Sequence, residues 1–209
     1  MIVKHLGVVA YEKTLEAMQT FVAESSFDTA DEIWMVEHPP VYTQGTACDL
    51  QALAPTKIPV VKSDRGGQIT YHGPGQVVMY VLLNIKRNGL GVKGLVEVLE
   101  QTMIDVLASY EINAERLTGA PGVYVDGAKI GALGLRVRKG FSYHGLSLNV
   151  DMDLSPFHNI DPCGYQGMQV TQMSDLLTLR KIKERVDIGQ VSERLISILL
   201  QLVSNKGLH

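Results

Sequence analysis

Asp126-Gly127 stands between two runs of β-forming residues, Gly122–Val125 and Ala128–Val137. An Asp-Gly pair supplies the two left-handed positions of a tight hairpin turn, so these runs are read as adjacent antiparallel strands. That pairing constrains the rest of the chain. Further strand-like runs fall at Ile2–Val9, Glu32–Glu37, Pro59–Lys62, Gln76–Ile85 and Tyr143–Asp151. Helical spacing appears in three places: Tyr11, Leu15, Met18 and Val22; then Leu95, Leu99, Met103, Val106 and Tyr110; then Val191, Leu195, Ile198 and Leu202. Three helices among seven strands do not alternate as a doubly wound parallel fold requires. The expected class is α/β of the α+β kind: one domain over residues 1–209, with a mixed β-sheet flanked by helices. The motif-bearing core runs from about 33 to 167, and a C-terminal helical segment from about 168 to 209.

Charge excludes some functions. Nineteen Lys and Arg against 22 Asp and Glu leave a net charge of −3, without the basic surplus of a nucleic-acid-binding domain. The longest apolar stretch, Val77 to Leu83, is far short of the ~20 residues that cross a bilayer. The opening Met1–Lys13 lacks the apolar run of a secretory signal, and two cysteines make no disulfide scaffold. No nucleic acid, no membrane and a cytoplasmic location are expected. The six histidines show no metal-ligand spacing, so no metal is expected.

Three segments carry candidate chemistry. Four glycines between Gly66 and Gly75, beside Arg65, Tyr71 and His72, let backbone amides approach a ligand. The same residues also suit a Gly-Pro turn between two strands. Asp161-Pro162-Cys163-Gly164 holds a thiol in a turn, next to an amide that could face an oxyanion. A lone Cys is otherwise most often a small buried hydrophobe. His158, five residues before it, is a minor option as an imidazole partner. Cys48 has the acidic neighbour Asp49, which opposes a thiolate, and is read as structural. Lys129 lies among apolar and small residues. Pointing outward it is an edge-strand lysine; pointing inward it is a partly desolvated amine of lowered pKa and a usable base.

Taken together, Arg65-Gly-Gly-Gln-Ile-Thr-Tyr-His72-Gly-Pro-Gly-Gln76, Gly127-Ala-Lys129-Ile-Gly-Ala-Leu-Gly134, Tyr143-His-Gly-Leu-Ser-Leu-Asn-Val150 and Pro162-Cys163-Gly164 resemble the lipoyl(octanoyl) transferase family. Glu37–Gly45 is similar to that family as well. The resemblance implies the fold shared with lipoate–protein ligases and biotin protein ligases. It implies transfer of an octanoyl group from octanoyl-acyl carrier protein to a lysine of lipoyl domains, such as those of 2-oxoacid dehydrogenase-type complexes. Cys163 would be the acyl-accepting nucleophile and Lys129 its activating partner, with no cofactor. Arg65, Gly66, Gly67, Gln68, Ile69, Thr70, Tyr71 and His72, with Ala132, Leu133, Gly134, Gly145, Leu146 and Ser147, would bind the acyl substrate. The small residues at 132 and 134 would leave room for the chain.

A local basic face is expected for two acidic protein partners, with Arg65, Arg136, Arg138 and Lys139 as its candidates; the same four would also suit a solvated edge. Two other readings share some of these features. An ATP-dependent lipoate or biotin ligase would need no nucleophilic cysteine, and a catalytically silent acyl- or lipoyl-domain-binding module would never become acylated.

Overall fold

A computed structural model describes residues 1–48, 56–160, 168–180 and 186–206. In chain order the elements are β1 (Ile2–Val8), α1 (Tyr11–Glu24), β2 (Glu32–Glu37), β3 (Val41–Gln44), β4 (Val60–Lys62), β5 (Ile69–His72) and β6 (Gln76–Leu82). Then follow α2 (Val92–Ala108), β7 (Glu115–Leu117), β8 (Ala120–Val125), β9 (Ala128–Arg138), β10 (Phe141–Asn149), α3 (Met173–Leu179) and α4 (Ile188–Lys206). Seven strands form one sheet in the order β1-β2-β6-β10-β9-β8-β7. Among the described strands of this sheet only β1 and β2 pair in parallel; the other pairs are antiparallel. A second sheet, β4-β3-β5, sits beside it. The mixed sheet flanked by helices is the expected class.

Both faces of the large sheet are covered, which is why β6 and β10 are buried along their whole length. On one face Met79, Val81, Leu146 and Leu148 pack against Leu95, Leu99 and Met103 of α2 and Leu195 and Leu199 of α4. On the other, Trp34, Tyr80, Phe141 and Tyr143 pack against Tyr11, Met18 and Val22 of α1. The small sheet has its own core, where Tyr42, Ile69 and Tyr71 meet Met152 and Phe157. Among the described residues no helix is long and apolar enough to cross a membrane.

Three elements have no counterpart in the sequence reading, β3, β5 and β7, and α3 had only the broad C-terminal helical segment from about 168. Each is three to seven residues long and held by its neighbours, so none repeats its hydrophobic period often enough to register. The glycine-rich segment contains both alternatives at once. Ile69–His72 is a strand of the small sheet, and Gly73–Gly75 is the turn that hands the chain to β6 in the large one.

Candidate active site

Lys129 is turned inward, and a β-bulge turns it. Val123 pairs with Gly131 while Tyr124 pairs with Lys129, so one step along β8 is matched by two along β9 and Ile130 is the extra residue. In an unbroken strand Lys129 would share the face of Gly131, where a Cβ would lie 2.5 Å from Met103 Sδ of α2. The bulge returns Lys129 to the face of Tyr124, opposite α2. There the side chain is 4% exposed. Its Nζ lies 5.1 Å from the Tyr124 ring centre and donates to the Pro121 carbonyl at 3.2 Å.

Gly122 makes room for this path. Its φ is +133°, and a Cβ there would sit 3.1 Å from Lys129 Cε and 2.8 Å from the Gly131 carbonyl oxygen. The Gly122 amide donates to Glu100 Oε1 at 3.0 Å, so α2 holds the β8 turn that accommodates the lysine. The Lys129 backbone is paired too: its N–H donates to Gln169 O at 2.8 Å, and Thr171 N–H donates to its carbonyl at 2.9 Å.

Lys129 opens into a pocket of about 770 Å³, counting its mouth. The floor is laid by cross-strand registers. Ala132 faces Ser147, which faces Val78; one rung on, Gly134 faces Gly145, which faces Tyr80. The roof is Arg65–Thr70 from the glycine-rich segment, and Phe157 and Val170 complete the lining. The walls are mostly apolar with a few convergent polar groups, the usual composition of a small-molecule site.

Gly134 has a different reason for being glycine than room for the chain. Gly66 N–H donates to Leu135 O at 3.0 Å, which draws the roof onto β9. A Cβ on Gly134 would meet Gly66 O at 2.9 Å and Arg65 Cδ at 3.2 Å. The glycine admits a backbone crossing at the end of the pocket, which it lines together with Ala132 and Gly145.

Arg65 belongs to this crossing and not to a basic surface face. It is 9% exposed, and its Nη2 donates to Thr43 O at 2.6 Å and Thr43 Oγ1 at 2.9 Å. Arg136, Arg138 and Lys139 are exposed on the β9–β10 hairpin. Asp64, beside Arg65, ties α1 and β10 to the glycine-rich segment. It accepts from Gln19 of α1 at 3.3 Å, from His144 Nε2 at 2.8 Å and from the Tyr143 hydroxyl. Burial would raise its pKa, but the hydrogen bonds from His144 and Tyr143 outweigh that and hold the carboxyl well below the usual range.

His144 has φ +61°, a left-handed residue inside a strand that places its ring on Asp64. Burial, above all, lowers the pKa of His144 and His38 and pushes His72 down to about 3, so these rings are neutral near pH 7.

The sequence-derived site residues divide by place. Lys129, Arg65, Gly67–Thr70, His72, Ala132, Gly134, Gly145 and Ser147 line one pocket. Leu133 and Leu146 border it, but their side chains pack into the core beneath α2. Gly66 forms the crossing. Tyr71 packs its ring on Tyr42 and Phe157 in the small-sheet core. Cys48 packs against that same core, as a structural cysteine would. His158 is exposed on a short 3-10 turn. Cys163, with Pro162 and Gly164, lies outside the described residues. Tyr11, Gln76, Tyr80, Asn149, Phe157 and Val170 also line the pocket and were given no role from sequence. Gln76 and Asn149 had one legible signal: an amide side chain at the end of an apolar strand.

Residues 10–199 match the family described as lipoyl protein ligase A/B catalytic domain. An octanoyltransferase of Thiobacillus denitrificans is 62% identical over 177 residues, 84% of this chain and 81% of the relative. One of Aromatoleum aromaticum is 55% identical over 204 residues, covering 97% and 86%. Among solved structures, lipoate-protein ligase A bound with ATP superposes with a TM-score of 0.79 at 13% identity, covering 97% of this chain and 85% of that one. Biotin protein ligase from Aquifex aeolicus gives 0.56 at 15% identity, over 99% and 70%. At such identities the two superpositions speak for the fold.

Proposed function

Because this chain belongs to the lipoyl protein ligase A/B catalytic domain family, with octanoyltransferases among its relatives at more than half identity, we propose a two-step octanoyl transfer through a thioester on Cys163. It is an octanoyltransferase. The donor in this reading is octanoyl-acyl carrier protein, the acceptor is a lysine of lipoyl domains such as those of 2-oxoacid dehydrogenase-type complexes, and the place is the cytoplasm.

One observation carries the reading: the pocket is lined by Lys129 toward one end of β9 and by Gly134, under the backbone crossing, further along it, a run longer than an octanoyl chain. From Lys129 to Gly134, allowing for the bulge, is four strand steps, about 13 Å. An extended eight-carbon acyl chain is about 9 Å long by ordinary bond geometry. That run of β9 is long enough for the chain to lie along the pocket floor between Lys129 and the Arg65–Gly66 crossing.

The chemistry balances without a nucleotide. The Lys129 amine takes the proton of the Cys163 thiol, and the sulfur attacks the carbonyl of the donor thioester. The carrier's sulfur leaves and recovers that proton from Lys129. In the second half the acceptor lysine, losing a proton to Lys129, attacks the acyl-enzyme; the Cys163 sulfur leaves and is reprotonated. Thioester exchange is close to neutral in free energy, and thioester to amide is downhill. Covalent catalysis here divides one hard transfer into two easier ones. The exposed Arg136, Arg138 and Lys139 are candidates for meeting acidic partner proteins.

Intact-protein mass spectrometry tests the reading. Mixed with octanoyl carrier and no acceptor, the protein should gain one octanoyl group. Free octanoate plus ATP should leave it unmodified and, with a lipoyl domain added, give no transfer; an adenylating ligase forms no protein adduct in either mixture and modifies the lipoyl domain only from octanoate plus ATP.

A further inference from the structure

A hydrogen-bond chain of a single polarity runs beneath the pocket from Arg65 to Lys129. Two backbone carbonyls, which only accept, set its direction. Gln76 Nε2 donates to Tyr71 O at 3.3 Å and to Asn149 Oδ1 at 2.9 Å, and Asn149 Nδ2 donates to Thr171 O at 3.0 Å. Gln76 Oε1 must therefore accept from His72 Nδ1, 2.7 Å away. That leaves His72 Nε2 to accept from the Thr43 hydroxyl at 3.4 Å, whose oxygen accepts from Arg65 Nε at 3.2 Å. At the other end Thr171 N–H donates to Lys129 O. Gln76 is 1% and Asn149 5% exposed. Buried amides at the ends of two apolar strands are costly unless both their ends are bonded, and here both are.

The position of Asn149 shows what the chain does. The β9–β10 ladder ends at Leu148 opposite Gly131, so β10 does not reach the Lys129 backbone. Gln169–Thr171 takes over that pairing as a parallel bridge at Val170. Asn149 is the next β10 residue beyond the ladder, and its amide joins the end of one partner to the start of the other.

We propose that Asn149 is a positioning residue for acyl transfer: by holding the Thr171 carbonyl it keeps Gln169–Thr171 paired to the Lys129 backbone, and so fixes where the amine enters the pocket. This rests on Lys129 acting in the chemistry. Displacing a reacting group by about 1 Å is worth up to ~100-fold in rate.

The test is a kinetic cycle of Asn149→Asp, Asn149→Ala, Lys129→Ala and each double variant, measured as octanoyl transfer, with single-turnover conditions for the slow enzymes. Asn149→Asp keeps the acceptor for Gln76 but has no N–H for Thr171; Asn149→Ala removes both without adding charge. Each should lower kcat about 10- to 100-fold with KM for the octanoyl donor within about twofold. In the Lys129→Ala background either should cost less than about twofold more, because what Asn149 positions is gone.

Multiplying losses, wild-type kcat in the Asn149 variants, or a raised KM at unchanged kcat (direct contact with the donor) would each overturn the proposal. If Lys129→Ala keeps wild-type activity, the reading beneath it fails as well. If Lys129→Ala is impaired and the Asn149 variants are not, only this inference fails. Should the Asn149 variants not fold, Gln76→Ala releases the same amide from its other side and is judged by the same outcomes.

Discussion

Lys129 stands opposite Tyr124 across the β8–β9 ladder, with its Nζ 5.1 Å from the centre of that ring. One extra residue, Ile130, decides this, since without the bulge the lysine would be aimed at Met103 in the core beneath α2. The amine is instead packed against a π face and a carbonyl, beside the pocket that Lys129 lines.

Lys129→Arg and Lys129→Ala separate two roles for that amine. A thiol of pKa ~8.5 is only about 3% thiolate at pH 7, so holding a thiolate by charge gains at most ~30-fold. Proton transfer by a positioned base is worth about 10²–10⁴-fold. Arginine keeps the charge but does not release a proton near neutral pH. We expect transfer rates in both variants to fall by more than ~100-fold. A folded Lys129→Arg enzyme retaining over a tenth of the rate would reduce the lysine to a fixed charge.

Cys163→Ala should abolish the hydroxylamine-labile octanoyl adduct, while Cys48→Ala, in the small-sheet core, should keep it. Intact mass after mixing with octanoyl carrier reads both. An adduct that persists on Cys163→Ala moves the nucleophile elsewhere.

Gly122→Ala should be disproportionately harmful for so small a change. The φ of +133° is unfavourable for alanine, and the new methyl would press on Gly131 O and Lys129 Cε. A loss of about 1–3 kcal/mol in chemical denaturation is expected, together with a fall in transfer rate. Unchanged stability and rate would show that Lys129 has another path into the pocket.

Gly134→Val should lower stability as well as transfer, because its side chain would strike the Gly66 carbonyl oxygen at the roof crossing. Overpacking of this kind costs about 1–3 kcal/mol. A variant of wild-type denaturation midpoint that had lost only transfer would restore the view that this glycine makes space for the acyl chain.

Acid should weaken the fold from about pH 6.5 downward. Burial lowers the folded pKa of His72 to about 3 against ~6.5 unfolded, so between those values the unfolded chain binds the extra proton. Stability is then complete above about 6.5 and declines as pH falls toward 3, by roughly 1.4 kcal/mol per pH unit for one such group. Denaturation midpoints from pH 4 to 8 should show this slope, reduced in His72→Gln. An identical slope in that variant would assign the effect to His38 or His144.

How much of this was legible in sequence follows from the range of the forces involved. The Asp126-Gly127 hairpin, the three amphipathic helices and the apolar run into β6 were readable because each is set by neighbours a few residues away, through turn dihedrals or a repeating apolar face. The mixed-sheet class followed from them, and the motif residues gathered around one pocket could be named, Lys129 among them.

The direction in which Lys129 points was open. It depends on a single inserted residue in a ladder, and a bulge has no local signature in Lys-Ile-Gly. The same holds for Gly134, whose neighbour in space is Gly66, and for Arg65, which is drawn inward by Thr43. Asn149 had no role at all until Thr171 and Gln76 stood on either side of it. Short-range periodicity determined the elements. For Arg65, Gly134 and Asn149, contacts between residues 22 to 73 positions apart decided what the residue does at the pocket, because hydrogen bonding and exclusion act through distance in space.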